Sequence, residues 1–217
     1  MEHRNNVKKL VLLAMLAAVA FLMVALIRIP VVLFLNYEPK DVIIAVAGFL
    51  LGPMASFVIS LVVSFLEMIT ISTTGPIGAI MNLLSTCSFA CTAALIYKRR
   101  RTLGGAVAGL LAGSVAMIGV MLLWNYLITP LYMTGTSRAD VAAMLVPIFL
   151  PFNALKAGCN TALTLILYKP LVLALRKAGL IPKANAKPAS AKWGIYLLGA
   201  GLLATCILLL LAWRGII

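Results

Sequence analysis

The chain has 217 residues, of which 64% are hydrophobic and only 11% are charged. A soluble domain of this length cannot bury so much apolar surface, so the composition excludes a soluble globular protein. The net charge of +13 could indicate nucleic-acid binding, but the basic residues cluster between apolar runs, which is the positive-inside pattern of membrane proteins. The composition therefore indicates an integral membrane protein that contacts the lipid bilayer and no nucleic acid.

Apolar runs of about 20 residues recur along the chain, and each is long enough to cross about 30 Å of hydrocarbon. The runs are continuous rather than alternating, which predicts helices and not a closed barrel, the two structures that satisfy the backbone in lipid. The expected spans, in chain order, cover residues 10–27, 41–51, 54–71, 77–97, 104–129, 151–175 and 193–213. The predicted fold class is all-α integral membrane, with six core transmembrane helices and one additional C-terminal helix.

The breaks between the spans follow proline, glycine and charge. Residues 30–40 are expected to form a loop, and Asp41 is expected to be the N-cap of the second span. That span ends at the Gly-Pro pair 52–53 and is too short to cross squarely, so it should tilt or reach only part of the depth. The fifth span is expected to end before Pro130, and a short helix could precede Pro147.

The basic residues predict the orientation of the bundle. They cluster in the N-terminal tail, in residues 98–101 and in residues 169–192, and a cytoplasmic N-terminus places all three clusters on the cytoplasmic side. The chain is thus expected to be a multi-pass protein of the cell (cytoplasmic) membrane. We divide it into a six-helix membrane domain at 1–177, a basic linker at 178–192 and an additional transmembrane helix at 193–217.

Polar residues inside transmembrane helices are costly, so each is a functional candidate. At 1.5 Å per helical residue, five of them fall in one layer near the outer face: Glu67, Asn82, Asn125, Asn153 and Lys156. The layer is either a ligand pocket or solvation at the interface. Trp124 and other aromatic residues nearby either wall that pocket or belong to the aromatic belt of the interface. Amides with one ammonium group suit a neutral or weakly charged polar heterocycle.

The residues needed for nucleotide binding, for histidine-based catalysis and for a metal site are missing from the sequence. The sequence has no G-x-x-x-x-G-K-[ST] phosphate-binding motif, and its one histidine, His3, is in the N-terminal tail, so an enzyme is not expected. The four cysteines lie in apolar runs without histidine or carboxylate at metal-ligand spacing, so no metal site is expected. Ala14 and Ala18 form a small-xxx-small pair, which lets helices approach closely, within the bundle or in a partner.

Several segments together resemble the substrate-binding (S) components of energy-coupling factor (ECF) vitamin transporters, and most of all the riboflavin-specific branch. The segments are Leu-Asn-Tyr-Glu-Pro-Lys-Asp at 35–41, Phe-Leu-Leu-Gly-Pro at 49–53, Trp-Asn-Tyr at 124–126, Pro-Leu-Tyr at 130–132 and Pro-Phe-Asn-Ala-Leu-Lys-Ala-Gly at 151–158. The Asn-x-x-Lys run in the last segment is the most specific. The resemblance covers about residues 8–177 and leaves the last span outside it.

The resemblance implies a substrate-binding subunit of an ATP-driven importer, which captures riboflavin from outside under the loop after the first helix. Riboflavin is then the transported ligand, and no cofactor is expected. The implied partners are a transmembrane T subunit, contacted by Ala14 and Ala18, and two ATPase subunits. The implied riboflavin contacts are Asn82, Asn125, Asn153 and Lys156, then Leu35, Asn36 and Tyr37 from the loop, then Glu67 and Thr73, with Trp124 in the same layer.

Three alternatives stay open at this stage. The chain could be an S component for another vitamin, such as thiamine or pantothenate. It could be a membrane scaffold protein that binds no solute, or a carrier that works without ATPase subunits. The extra span would also put the C-terminus outside, which leaves the core prediction intact but bears on how a T subunit could approach.

Overall fold

A computed structural model describes residues 2–133, 135–180 and 193–213 of the chain. Within these ranges the protein is almost wholly helical, apart from two short strands, β1 (Ile29–Val32) and β2 (Leu35–Tyr37). The helices are α1 (Glu2–Leu26), α2 (Lys40–Leu51), α3 (Pro53–Thr70), α4 (Gly75–Arg99), α5 (Leu103–Tyr132), α6 (Arg138–Met144), α7 (Leu150–Lys177) and α8 (Trp193–Trp213).

Six helical segments in the described ranges are long and apolar enough to cross a membrane. They are α1, α3, α4, α5, α8 and the continuous segment Arg138–Lys177, which joins α6 to α7. Many large apolar side chains on these helices are exposed, such as Leu10, Val115 and Leu208, which suits an outer surface that faces lipid rather than water. The predicted all-α membrane fold is confirmed, including the additional C-terminal helix.

Helix α2 differs from the others because it lies inside the bundle. Its 12 residues span only about 18 Å at 1.5 Å per residue, and all residues from Lys40 to Phe49 are buried. It packs against α1, α3, α4 and α7. A helix that is apolar on all sides is stable where it is surrounded, so the second predicted span is a central helix that reaches only part of the bilayer depth.

The N-cap prediction for Asp41 is wrong. Pro39 occupies the N-cap of α2 and no side chain caps the helix. Asp41 lies one residue inside the helix and is fully buried. Its carboxylate accepts hydrogen bonds from Thr86 Oγ1 at 2.6 Å and Asn160 Nδ2 at 2.9 Å. A carboxylate near the start of a helix is electrostatically favourable whether it caps the helix or points into the bundle. The sequence alone therefore could not show which of these two roles Asp41 has.

The segment predicted as a plain loop contains a β-hairpin, which we call the hairpin (residues 29–37). Its strands pair antiparallel, with Ile29 opposite Tyr37 and Pro30 opposite Asn36. At the turn, Leu33 has a φ of 51°, in the left-handed region that a branched side chain rarely adopts. Glycine or asparagine usually marks such a turn, and their absence hid the hairpin in the sequence.

The prediction that α5 ends before Pro130 is wrong, because the helix continues to Tyr132. A proline inside a helix removes one backbone donor, and here it falls in the last turn, where few bonds remain to be lost. The short helix expected before Pro147 is present as α6, whose first turn is closed by a capping box between Ser137 and Asp140. A single π-helical turn, Leu145–Phe149, then leads into α7.

Helices α4 and α5 cross very closely because glycines face the contact. Gly105, Gly109 and Gly113 recur every four residues and so lie on one face of α5. A Cβ at Gly109 would lie only 2.6 Å from the carbonyl oxygen of Ala93 on α4. Small residues permit this backbone approach in membrane helices. The sequence prediction considered only the alanines of α1 for such packing and overlooked these glycines.

Helix α8 packs along α7, on the outside of the bundle. Gly158 of α7 lies against Cys206 of α8, and Gly199 of α8 lies against Ile166 and Ala162 of α7. Of the linker predicted at 178–192, residues 181–192 lie outside the described ranges. The division of the chain into three parts therefore stays a prediction.

The close crossing of α4 and α5 makes a specific prediction. Gly109→Ala should lower the thermal unfolding midpoint of the detergent-solubilised protein, since overpacking costs about 1–3 kcal/mol. Gly119→Ala, on the same helix, is the matched control: a Cβ there meets nothing within 4 Å, so the substitution should be neutral or stabilising by about 0.5–1 kcal/mol. Equal midpoints for the two variants would contradict the crossing described here.

Candidate functional site

The hairpin covers one end of the bundle and is held there by aromatic packing. Leu35, Val141, Phe149 and Phe152 are buried together in a small apolar cluster, separate from the main core. Phe34 joins it at the edge, with its ring centroid 5.4 Å from that of Tyr132 in an edge-to-face arrangement. The hairpin, α5, α6 and α7 thus form a roof over the end of the bundle.

Directly under this roof is a small polar pocket. Its enclosed volume is about 30 Å³, which is of the order needed for a single water molecule. The pocket is lined from the hairpin, α4, α5 and α7. The lining residues are Phe34, Leu35, Asn36, Glu38, Met81, Asn82, Ser85, Met121, Asn125, Phe152, Asn153 and Lys156.

Lys156 connects the pocket to the first turn of α2. Its Nζ is 3.5 Å from Asp41 Oδ2 and 3.4 Å from Ser85 Oγ. Asp41 is also bound by Thr86 and by Asn160, so two helices, α4 and α7, supply partners for one buried carboxylate. A buried charge needs such partners, because desolvation without them costs several kcal/mol. Lys156 is consequently a fixed cation and cannot extend towards the membrane surface.

Lys40 is the centre of a second buried ionic network. Its Nζ lies 2.9 Å from Glu38 Oε2 and 2.5 Å from Glu67 Oε1. Arg28, after α1, pairs with the other oxygen of Glu38 at 3.1 Å, and Asn82 Nδ2 donates to Glu67 Oε2 at 2.8 Å. The network joins the two residues that flank the hairpin, Arg28 and Glu38, to α2, α3 and α4.

The charges of the two networks balance. Three cations, Arg28, Lys40 and Lys156, face three carboxylates at distances that permit direct ion pairs. The pocket between the networks therefore has charged residues in its walls but no excess charge of either sign. A ligand with a full charge would meet no unpaired counter-ion among the described residues.

Two asparagines contribute oriented amides to the pocket. Asn125 Nδ2 donates to Met121 O and Asn153 Nδ2 donates to Phe149 O, both at 2.7 Å and both four residues back along the helix. Asn125 Oδ1 accepts from Thr129 Oγ1 at 3.0 Å. The Asn153 bond ends at the π-helical turn, a feature that is frequent at functional sites. These bonds fix the amide planes that face the pocket.

Six of the ten residues predicted to bind the substrate line this pocket. They are Leu35, Asn36, Asn82, Asn125, Asn153 and Lys156. The sequence prediction did not select Glu38, Met81, Ser85 or Met121, which also line it. Serine and methionine carry little signal in an apolar span, and Glu38 was treated only as part of a loop motif.

The other four predicted residues lie outside the pocket lining. Glu67 is bound by Lys40 and Asn82, and Thr73 is exposed in the turn before α4. Trp124 is half-buried, and its Nε1 has no hydrogen-bond partner within the described residues. Tyr37 donates from its hydroxyl to Asn160 Oδ1 at 3.2 Å. Burial raises the pKa of Tyr37 above its ordinary value, and Cys159 and Asp41 add to this, so the hydroxyl stays a donor.

The alanine pair of α1 lies on the outside of the bundle. Ala14 and Ala18 are both exposed, whereas their neighbour Ala17 is buried against the core. Helix α1 packs on α2 and α3, while α8 packs on α7. The additional helix thus leaves the alanine pair uncovered.

The Lys40 network makes a prediction about stability. Lys40→Met would leave Glu38 and Glu67 buried without their shared cation, and should destabilise the fold by about 3–5 kcal/mol. The double variant Lys40→Met/Glu67→Gln removes one stranded charge and should recover part of that loss. Thermal unfolding in detergent measures both, with the exposed Lys177→Met as control. A Lys40→Met protein as stable as this control would contradict the network.

Comparison with known proteins agrees with this architecture. The family described as "ECF transporter, substrate-specific component" matches residues 8–168. The riboflavin transporter RibU of Staphylococcus aureus (strain TCH60) is 30% identical over 78% of this chain and 93% of its own length. The riboflavin transporter FmnP of Bacillus subtilis (strain 168) is 28% identical over 80% of this chain and 98% of its own.

A solved structure gives the same result for the fold. The S component of a bacterial ECF transporter superposes with a TM-score of 0.67 at 29% sequence identity, covering 79% of this chain and 99% of that one. These relatives are transporter components and not enzymes. The resemblance found in the sequence is confirmed: this chain belongs to the substrate-specific components of ECF transporters and is the substrate-binding membrane subunit of such a transporter.

Proposed function

We propose that this subunit captures riboflavin in the pocket under the hairpin and delivers it for ATP-driven import. The observation that carries the proposal is the convergence of Asn82, Asn125, Asn153 and Lys156 on one pocket. Amide groups offer a donor and an acceptor side by side, which matches the imide edge of a flavin ring. Both curated relatives described above are named as riboflavin transporters, which supports the same ligand.

The balanced charge of the pocket favours a neutral ligand. Thiamine is a cation and pantothenate is an anion, and either would add a charge that the paired residues do not offset. The same argument favours riboflavin over its phosphate. The ligand contacts that we propose are Asn82, Asn125, Asn153, Lys156, Leu35 and Asn36, with Glu67 and Tyr37 holding the pocket walls.

Riboflavin is too large for the pocket as it stands. Sites for ligands of this class usually enclose about 300–1,000 Å³, compared with about 30 Å³ here. A two-stranded hairpin is only marginally stable alone, so its position over the pocket depends on its packing against the apolar cluster of the roof. We infer that it moves away to admit the ligand and closes over it again.

We propose that the hairpin end of the bundle faces outside and that the N-terminus is cytoplasmic. Apart from Arg138 on α6, whose guanidinium lies over the Tyr126 ring, the basic residues that have no ion pair among the described residues gather at the opposite end, near Lys9, Lys98 and Lys177. Arg28, Lys40 and Lys156, at the hairpin end, are all matched by carboxylates. Unmatched positive charge is retained on the cytoplasmic side.

The partners that we propose are a transmembrane T subunit and two ATPase subunits, and α1 is the contact for the first. The exposed pair Ala14 and Ala18 lets a second helix approach closely. Residues 1–177 would form the substrate-binding unit, and residues 193–217 an added helix on its far side, joined by the basic linker 178–192.

Riboflavin binding is directly testable. The purified protein should bind riboflavin saturably at micromolar concentration or below, with a change in flavin and tryptophan fluorescence. Asn153→Ala and Lys156→Ala should each weaken binding by about 1–3 kcal/mol, because each removes a partner from a buried polar site. Lys177→Ala, an exposed position on the same helix, is the control. No saturable binding would refute the proposed ligand, and wild-type affinity in both variants would refute the proposed site.

The contact with the T subunit has a separate test. Ala14→Leu/Ala18→Leu should reduce copurification of the chain with a T subunit and its ATPases, because bulky side chains keep the helices apart. The same protein should bind riboflavin as the wild type does, since both positions are exposed and neither lines the pocket. Ala204→Leu, an exposed position on α8, should not affect assembly. If copurification with the T subunit survives the α1 substitutions but is lost in Ala204→Leu, the T subunit contacts α8 and not α1.

A further inference from the structure

The end of the bundle opposite the hairpin contains a second, larger cavity with basic walls. It encloses about 320 Å³ where α2 ends and α3 begins, and residues 48–54 form its floor. Three basic side chains line it from other directions: Lys9 from α1, Lys98 from the last turn of α4, and Arg101 from the turn after α4. We call it the basic cavity.

The positive charge of the basic cavity is not neutralised within the described residues. None of its three cations takes part in a salt bridge there. The chain has only five acidic residues. Three are in the buried networks at the hairpin end, and Asp140 caps α6. The fifth, Glu2, is the first residue of α1. The cavity therefore presents a concentrated positive charge to whatever enters it.

The positive-inside pattern alone does not explain this arrangement. That pattern requires basic residues on one side of the membrane and nothing more. Arg99 and Arg100 meet the requirement equally well, yet they do not line the cavity. Their neighbours Lys98 and Arg101 do line it, together with Lys9 from the other end of the sequence's first hundred residues. Convergence of cations from separate elements on one concave space is typical of a site for an anion.

An apolar cavity adjoins the basic one. It encloses about 180 Å³ between α4, α5, α7 and α8, and it shares Phe49, Tyr97 and Arg101 with the basic cavity. The Tyr97 and Tyr168 hydroxyls lie 3.1 Å apart. The rest of the wall is mainly apolar, and it includes Leu103, Ala106, Leu110 and Leu165. The two cavities together offer a place for an anionic group and, beside it, for a hydrocarbon chain.

We propose that the two cavities together bind one anionic phospholipid. Its headgroup phosphate lies among Lys9, Lys98 and Arg101, and part of an acyl chain lies in the apolar cavity. Basic pockets between transmembrane helices, on the side where basic residues gather, recognise such headgroups. A free phosphate would share the anion chemistry but would leave the apolar cavity unused. The bound lipid connects α1 to α4, and through the apolar cavity to α5, α7 and α8. This inference is independent of the ligand under the hairpin.

The test compares two double variants that remove the same charge. Lys98→Gln/Arg101→Gln changes two lining residues, and Arg99→Gln/Arg100→Gln changes the two residues between them. Thermal unfolding of the full chain in neutral detergent is followed while phosphatidylglycerol, phosphatidylcholine or inorganic phosphate is added. Phosphatidylglycerol should raise the midpoint of the wild type and of the Arg99→Gln/Arg100→Gln protein. For Lys98→Gln/Arg101→Gln, the concentration that gives half the shift should rise about 25-fold, since each basic residue contributes about 5-fold.

Three results would overturn the proposal. The first is an equal loss of the response to phosphatidylglycerol in both double variants. The second and third are a stabilisation of the wild type by phosphatidylcholine, or by inorganic phosphate alone, that equals its stabilisation by phosphatidylglycerol. A measurement without mutation adds to this: about 0.5 M salt should weaken the response of the wild type to phosphatidylglycerol, and no change with salt would also refute the site. Riboflavin titration of the same samples distinguishes the two sites, because the Lys98→Gln/Arg101→Gln protein should bind riboflavin with the affinity of the wild type.

Discussion

The burial of two adjacent charges at the start of α2 is the constraint on which the rest of the structure depends. Lys40 and Asp41 are consecutive, and consecutive residues lie about 100° apart around a helix, so they meet different neighbours. Lys40 binds the carboxylates of Glu38, just after the hairpin, and of Glu67 on α3, whereas Asp41 binds groups of α4 and α7. Either charge left alone would cost several kcal/mol. The first turn of α2 therefore fixes four elements relative to one another.

The proposed pocket inherits its properties from this arrangement. Lys156 lines the pocket and also pairs with Asp41, while Asn82 lines it and also binds Glu67. The polar groups offered to a ligand are thus held by the same bonds that hold the helices. Such preorganisation lowers the entropy cost of binding. The hairpin, in contrast, is attached mainly by apolar and aromatic packing, which can slide and re-form with less loss.

The features that the sequence predicted correctly are those that depend on the free energy of placing a short segment, or a single side chain, in the membrane. Length and hydropathy determine which helices can cross a membrane, and the price of a polar group in lipid singled out residues such as Asn125 and Asn153. The features that it missed depend on distant partners. Asp41 looked like a cap because the groups that stabilise its carboxylate, Thr86 and Lys156, are 45 and 115 positions away in the chain.

The same distinction applies to backbone geometry. Nothing in residues 29–37 has the turn chemistry of a hairpin, because Leu33 takes a conformation that its side chain disfavours. Contacts with the bundle must compensate for that strain. Pro130 likewise ends a helix in most contexts but not in the last turn of α5. The glycines at the crossing of α4 and α5 were overlooked because their role depends on which helix lies opposite.

The central position of α2 also dictates an order of assembly. A 12-residue helix that begins with two charged residues is too short and too polar at one end to partition into lipid by itself. The partners that satisfy Asp41 lie on α4 and α7, and α7 is synthesised long after α2. During biosynthesis α2 must therefore wait at the membrane boundary, or among the earlier helices with access to water, until α7 arrives. The substrate-binding end of the subunit is completed only with the insertion of the last core helix.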